Sequence, residues 1–226
     1  MSAIRGASAR LGPVVALVLA IAVPLAFTGC AASGSEQTSS STDSTTTETT
    51  ASTDATATGG KNVKTIYLAG GCFWGLEKYV GLVHGVINAE SGYANGRSDN
   101  ARYGDGSGYA EVVKVDYDPT EAPLPFLLDL YYDAIDPTTV NRQGNDRGVE
   151  YRTGIYFTDP ADKAVIDASI AKLQAGLSKP VAIEIEPLTT YTPAEQYHQD
   201  YLDKNPGGYC HIPRRLFDAA AAARPR

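Results

Sequence analysis

From residue 64 onward, the spacing of apolar positions switches between a period of two and a period near 3.6, segment by segment. KTIYLA (64–69) reads as a strand, and Gly70-Gly71 as a sharp turn into a short helix beginning near Cys72. GVINAESGY (85–93) and the cleanly alternating EVVKVDY (111–117) read as two more strands, the second stopped by Asp118-Pro119. In 125–135 the residues Phe126, Leu127, Leu130, Tyr131 and Ala134 have helical spacing, and Asp136-Pro137 ends the run. GIYFT (154–158) is a strand. Asp159-Pro160 then opens a helix with an inner stripe of Ile166, Ile170, Leu173 and Leu177. VAIEIE (181–186) reads as a last strand, PAEQYHQDYLDKN (193–205) as a last helix, and 218–226 as an Ala-rich tail. The first six elements run β-α-β-β-α-β. The expected fold is therefore α+β, a two-layer sandwich with a ferredoxin-like core, an extra helix and a C-terminal coil.

The first sixty residues follow neither period. Arg5 and Arg10 precede an uncharged apolar run, Leu11 to Phe27, interrupted by Pro13 and Pro24. It is short for a membrane span, which takes about 20 apolar residues, and fits the apolar core of a secretory signal peptide. Thr28-Gly29-Cys30 follows and resembles the bacterial lipobox, with Phe27 where that motif usually has leucine. On this reading 1–29 is a signal peptide and Cys30 carries lipid. An ordinary signal cut near Ala31 or Ala32, or an uncleaved anchor, would equally export the chain. Seventeen of residues 31–60 are Ser or Thr, and none is Leu, Ile, Val or aromatic. Such a segment buries too little apolar area to offset the entropy of ordering, so 30–62 is expected to be a disordered tether. That leaves 63–217 as one domain of about 155 residues, a size that supports a single core. A net charge of −7 and the absence of any basic run argue against nucleic acid as a partner.

The chain has three cysteines, Cys30, Cys72 and Cys210. No close Cys or His pair suggests a zinc site, so no metal is expected. In an exported protein Cys72 and Cys210 could simply form a structural disulfide. The position of Cys72 suggests more, because a helix N-terminus lowers a thiol's pKa from about 8.5. Cys210 lies in the turn-rich Asn205-Pro206-Gly207-Gly208-Tyr209-Cys210, where a second thiol could reach a modified first one. Glu111 shares a strand face with Val113, Val115 and Tyr117. A carboxyl so placed is either partly desolvated and proton-holding near neutrality, or merely reaches water at the strand's end. Phe73 and Trp74 suit either core or the wall of an apolar pocket.

The segment Gly71-Cys72-Phe73-Trp74-Gly75-Leu76-Glu77 resembles the GCFWG-x-E signature of the A-type peptide methionine sulfoxide reductases. The resemblance continues in order through Ser91-Gly92-Tyr93, Ala110-Glu111-Val112-Val113, Asn141-Arg142-Gln143-Gly144-Asn145-Asp146 and Tyr151-Arg152. It ends with Gln196-Tyr197-His198-Gln199-Asp200-Tyr201-Leu202 and Gly207-Gly208-Tyr209-Cys210. It implies reduction of methionine (S)-sulfoxide, with Cys72 as nucleophile, Glu111 as proton donor and Cys210 as resolving thiol. Tyr151 would hold the sulfoxide oxygen, Phe73 and Trp74 the methyl group, and Asp146 would support the site. It also implies a thioredoxin-like reductant, no cofactor, and a monomer. The family commonly has a longer stretch before the glutamate, ending in Gly-His-Ala-Glu. Here 102–111 (RYGDGSGYAE) is shorter and Tyr109 replaces the histidine. Tyr103 best matches a second oxygen-binding tyrosine, with Tyr93 and Tyr109 as substitutes.

Two other readings remain open on spacing alone. One is a cysteine hydrolase pairing Cys72 with His198 or His211; the other is a tethered binding module stapled by Cys72–Cys210. The lipobox reading has its own test. Cys30→Ala should abolish lipid labelling and loosen membrane association, since two acyl chains anchor stably where one is marginal; unchanged labelling of that variant would refute it.

Overall fold

The computed structural model describes residues 62–226, so the expected leader, Cys30 and tether lie outside the described residues. Strand β1 (Lys64–Gly70) turns into helix α1 (Phe73–Gly81); β2 (Val86–Ala94), β3 (Ala110–Tyr117) and α2 (Leu124–Ala134) follow. A small hairpin, β4 (Arg142–Gln143) and β5 (Asp146–Arg147), leads through a 3₁₀ turn (Val149–Tyr151) into β6 (Thr153–Phe157). The rest is α3 (Asp162–Ala175), β7 (Glu184–Pro187), β8 (Tyr191–Pro193), α4 (Tyr201–Lys204) and α5 (Arg214–Ala222). The main sheet has the order β7-β6-β1-β3-β2-β8. Its central strands β6-β1-β3-β2 are all antiparallel, the arrangement of a ferredoxin-like unit. β7 adds parallel to β6, and β8 adds antiparallel to β2.

Period-two alternation in the strands divides the core between two faces. Ile66, Leu68, Val113, Val115, Tyr117 and Ile155 are essentially inaccessible and join the main cluster with Phe73, Leu76, Leu127 and Leu128 of the helices. Tyr67, Ala69, Val112 and Tyr156 form a smaller cluster on the opposite face, covered by Leu188 and Tyr191. Glu111 thus lies on the helix-facing side of β3, buried at 2% exposure.

The C-terminal third differs from expectation. In place of a helix over 193–205, β8 ends at Pro193, turns occupy 196–200, and α4 is a single turn. Asp200 is left-handed at φ 51°, which breaks any continuous helix. The Gln199 amide donates to the Ser91 and Ala194 carbonyls and accepts the Ser91 N–H, so backbone groups that a helix would pair internally are met by a side chain. The expected coil after Phe217 is helix α5, led by Pro213, with Leu216 and Phe217 against the core and Ala220 fully buried. Alanine's helix propensity explains it. β7 starts three residues later than 181, and the two-residue strands β4 and β5 are too short to show a period-two pattern in the sequence.

Where β1 meets its turn, Tyr131 of α2 is fully buried, and its hydroxyl donates to the Ala69 carbonyl at 2.6 Å with Gly154 O at 3.3 Å. This contact ties α2 to the strand end that carries the nucleophile candidate. Tyr131→Phe should cost about 1 kcal/mol, the usual net worth of one such bond. In urea the midpoint should fall with an unchanged slope; an unmoved midpoint would show the hydroxyl to be dispensable.

Candidate active site

The turn between β1 and α1 is built on Gly71, whose φ is +81°. A Cβ there would also meet Gln143 Cβ at 2.6 Å and His211 Cε1 at 2.9 Å, so both conformation and space demand glycine. Cys72 follows as the N-cap of α1, 8% exposed, with the Trp74 N–H directed at its sulfur. The next N–H, of Phe73, donates to Glu111 Oε2 at 3.0 Å. One turn of backbone therefore holds the thiol and the carboxyl side by side.

Burial is the largest influence on both. It pushes the Glu111 carboxyl up from 4.5 to about 8, with Asp146 and Glu150 adding and the Phe73 N–H opposing. Glu111 thus holds a proton at neutral pH, as one of the two readings of its strand position requires. The expectation for Cys72 is overturned: its pKa is raised, not lowered. Burial dominates, the Glu111 carboxylate adds to it, and the Trp74 N–H only partly opposes them. The resting thiol is neutral.

Around this pair the structure gathers the other expected residues. Tyr151 and Tyr103 are shifted up first by burial and next by the nearby Glu111, with Cys72 adding less, so both tyrosines lie near the same two groups. The Tyr93 hydroxyl is committed to Glu195 Oε2 at 2.7 Å, and that of Tyr109 to the Gly104 N–H at 2.9 Å. Tyr103 is 54% exposed, and of the three candidates it is the one open to solvent. Phe73 is buried with its ring tilted against Tyr93 and His198. Trp74 stacks on Tyr201 at 3.7 Å, and its Nε1–H donates to His198 Nδ1 at 2.9 Å.

His198 is therefore a buried acceptor in a turn, not part of the helix expected over 193–205. Burial lowers its pKa, which keeps Nδ1 free to accept and leaves the proton on Nε2, 3.9 Å from Glu195. His211 is likewise depressed by burial and lies against Gly71 and Gly144. Its Nδ1 is 3.6 Å from Asp146 Oδ2. Tyr209 is pushed up to about 12 by burial and by its hydrogen bond to the same Asp146. The two neighbours of Cys210 thus converge on one carboxylate of the β4–β5 hairpin. The Cys210 sulfur sits on α1 where Gly75 leaves room: a Cβ there would come within 2.7 Å of it. Both cysteines are free thiols.

No spacing rule marks Glu195, which gathers Tyr93, the Tyr103 N–H and His198. Nor does one mark Glu77, whose buried carboxyl is raised to about 7 by desolvation while it accepts the Ser91 N–H. A signal for Glu77 did exist, in its place as the acid of the quoted signature.

A thiol beside a protonated acid, an aromatic wall, two hydroxyls and a second thiol fits reduction of an S–O bond. The model of the family described as peptide methionine sulfoxide reductase matches residues 64–224. The peptide methionine sulfoxide reductase MsrA of Lachnoclostridium phytofermentans is 52% identical over 164 residues, covering 71% of this chain and 99% of that protein. Among solved structures, reduced Mxr1 of Saccharomyces cerevisiae is 36% identical with a TM-score of 0.63, covering 67% of this chain and 91% of that one. Methionine sulfoxide reductase A of Corynebacterium diphtheriae is 35% identical with a TM-score of 0.59, covering 67% and 83%.

The raised carboxyl has a consequence for stability. A group whose folded pKa exceeds its unfolded value stabilises the fold fully below the unfolded value and less as pH rises through the folded one. For Glu111 the window runs from 4.5 to about 8. Glu111→Gln removes that slope while keeping an acceptor for the Phe73 N–H. Its stability relative to the parent should improve between about pH 5 and about pH 9. Urea midpoints for both chains at the two pH values check this, and parallel curves would contradict it.

Proposed function

Because the chain belongs to the peptide methionine sulfoxide reductase family, in its MsrA branch, we propose that Cys72, Glu111, Tyr103 and Tyr151 reduce the (S)-sulfoxide of methionine in oxidised proteins, with Cys210 closing the cycle. The observation that carries this assignment is the buried, protonated Glu111 bound to the amide next to Cys72.

A sulfoxide oxygen leaves only when protonated. Glu111 supplies the proton, while the Tyr103 and Tyr151 hydroxyls hold the oxygen between them. Protonation makes the substrate sulfur electron-poor, and Cys72 attacks it as its own proton passes to the vacated carboxylate. The new bond joins the two sulfurs, and Glu111 returns that proton as the substrate S–O bond breaks and water leaves. Water then attacks the Cys72 sulfur, giving its proton to Glu111; the S–S bond breaks, methionine departs as a thioether, and Cys72 is left as a sulfenic acid. The thiol has lost two electrons and the sulfoxide has gained them. Cys210 then attacks the Cys72 sulfur, forming the S–S bond and expelling water, which halts further oxidation. A thioredoxin-like dithiol returns the pair to thiols. Trp74, held flat by Tyr201 and by its bond to His198, and Phe73 form the apolar wall for the methyl group. Neither histidine is hydrogen-bonded to Cys72 among the bonds of the described residues, and both are biased toward neutrality, which favours this assignment over a Cys–His hydrolase. Lipid on Cys30 would place the activity outside the cytoplasmic membrane.

The two cysteines separate chemistry from recycling. Cys72→Ser should lose all reduction, because a serine hydroxyl is almost never ionised. Cys210→Ser should release about one methionine per enzyme and stall as a sulfenic acid. One turnover of the native protein without reductant should consume both thiols and join the peptides carrying Cys72 and Cys210. Quenched single-turnover assays with thiol counting and peptide mapping read all three. Normal recycling of Cys210→Ser by thioredoxin would mean that the sulfenic acid is reduced directly.

A further inference from the structure

The loop between β2 and β3 is where this chain departs from its family's pattern, and it carries Tyr103. Gly104, Gly106 and Gly108 all adopt positive φ, at 73°, 68° and 74°. A segment with three such residues has much backbone freedom to lose on ordering. Its far end is closed locally: the Arg97 N–H donates to Ser107 O, and the Asp105 carboxylate accepts the N–H groups of Arg102 and Ser107. None of those contacts touches residues 103 and 104. Residues 103 and 104 are the corner of a turn that the Asp105 N–H closes onto Arg102 O at 3.1 Å, and their own N–H groups are held from outside it. The Tyr103 N–H donates to Glu195 Oε1 at 3.3 Å, and the Gly104 N–H to the Tyr109 hydroxyl at 2.9 Å.

Both acceptors are themselves fixed. Tyr109 is 5% exposed, and its ring packs on Tyr93 with centroids 4.4 Å apart. The hydroxyl of that fully buried Tyr93 donates to Glu195 Oε2 at 2.7 Å, so one carboxylate is shared between the core and the loop. Tyr93, Tyr109 and Glu195 thus form a closed frame, and the side chain it leaves exposed is Tyr103.

We propose that Tyr109 and Glu195 are positioning residues for Tyr103, clamping two consecutive amides so that its hydroxyl is set over Cys72 and Glu111 before substrate arrives. The inference rests on the reading of Tyr103 as an oxygen-binding group. A donor aimed in advance at a developing charge contributes more than one that must be ordered during reaction, and displacements near 1 Å are costly in rate. Tyr109 supplies a buried ring for packing and a hydroxyl as acceptor. It thereby stabilises a loop shorter than the family's usual one.

A double-mutant cycle tests this with the full chain and methionine (S)-sulfoxide peptide, reading the single-turnover rate. Tyr109→Phe keeps the ring and removes only the acceptor. It should lower the rate about tenfold when Tyr103 is present and less than about twofold in the Tyr103→Phe background, where there is no hydroxyl left to position. A change in melting temperature does not disturb the comparison, because the same loss occurs in both backgrounds. Equal rate losses in the two backgrounds, or no loss in either, would overturn the inference while leaving the reductase assignment intact. A native chain inert toward the sulfoxide would overturn that assignment and the inference with it.

Discussion

The site depends on one contact, the Phe73 N–H donating to the Glu111 carboxyl. It joins the first turn of α1 to the helix-facing side of β3 and fixes the spacing between Cys72 and Glu111. It also spends an N–H that would otherwise be unpaired at a helix start on a group that would otherwise be an unsatisfied buried acceptor. Each end therefore supports the other. The contact exists only because β3 lies next to β1 in the sheet, with Ala69 opposite Val112, and because Gly71 lets the chain reverse sharply before Cys72. The ferredoxin-like strand order is what brings residues 72 and 111 together.

Much of this was legible in the sequence because it depends on period and punctuation. Alternation in EVVKVDY put Glu111 on the face of Val113, Val115 and Tyr117, and β3 buries that face. Gly-Gly marked the turn, and Asp-Pro pairs marked the ends of β3 and α2. The family's motifs supplied the roles for Tyr151, Tyr103, Asp146 and Cys210, which no periodicity could assign. Thiol acidity was not legible. The N-terminal position of Cys72 argued for a lowered pKa, but how much burial opposes it depends on which residues close over the thiol. Those come from distant parts of the chain.

The segment after β7 was the least legible for a related reason. Its side chains satisfy backbone groups of other elements: Gln199 at Ser91, Glu195 at Tyr103, His198 at the indole of Trp74. Helical propensity in PAEQYHQDYL is a local preference of fractions of a kcal/mol per residue. A handful of buried tertiary hydrogen bonds at about 1 kcal/mol each outweighs it. The segment gives up helix and packs His198 against Phe73 and Trp74. At the C-terminus the balance tips the other way: alanine propensity and contact of Leu216 and Phe217 with the core turn the Ala-rich end into α5.

Burial and reactivity pull against each other at Cys72, and the geometry resolves the conflict through the substrate. A low-pKa thiolate would react at rest with whatever oxidant reached it, because the thiolate is the nucleophile. Here desolvation keeps the thiol neutral, and the neighbouring acid is kept protonated by the same burial. Both protons are thus held until something in the pocket needs them. A sulfoxide is a hydrogen-bond acceptor through oxygen and an electrophile through sulfur. In the proposed mechanism, once it takes a proton from Glu111 it places positive character next to Cys72, and Glu111 becomes the base for the thiol proton. The barrier to ionising Cys72 falls only when a group able to consume the thiolate is in contact with it. A site built this way needs no permanently charged residue beside the nucleophile, only the exclusion of water and the fixed distance that the Phe73 amide provides.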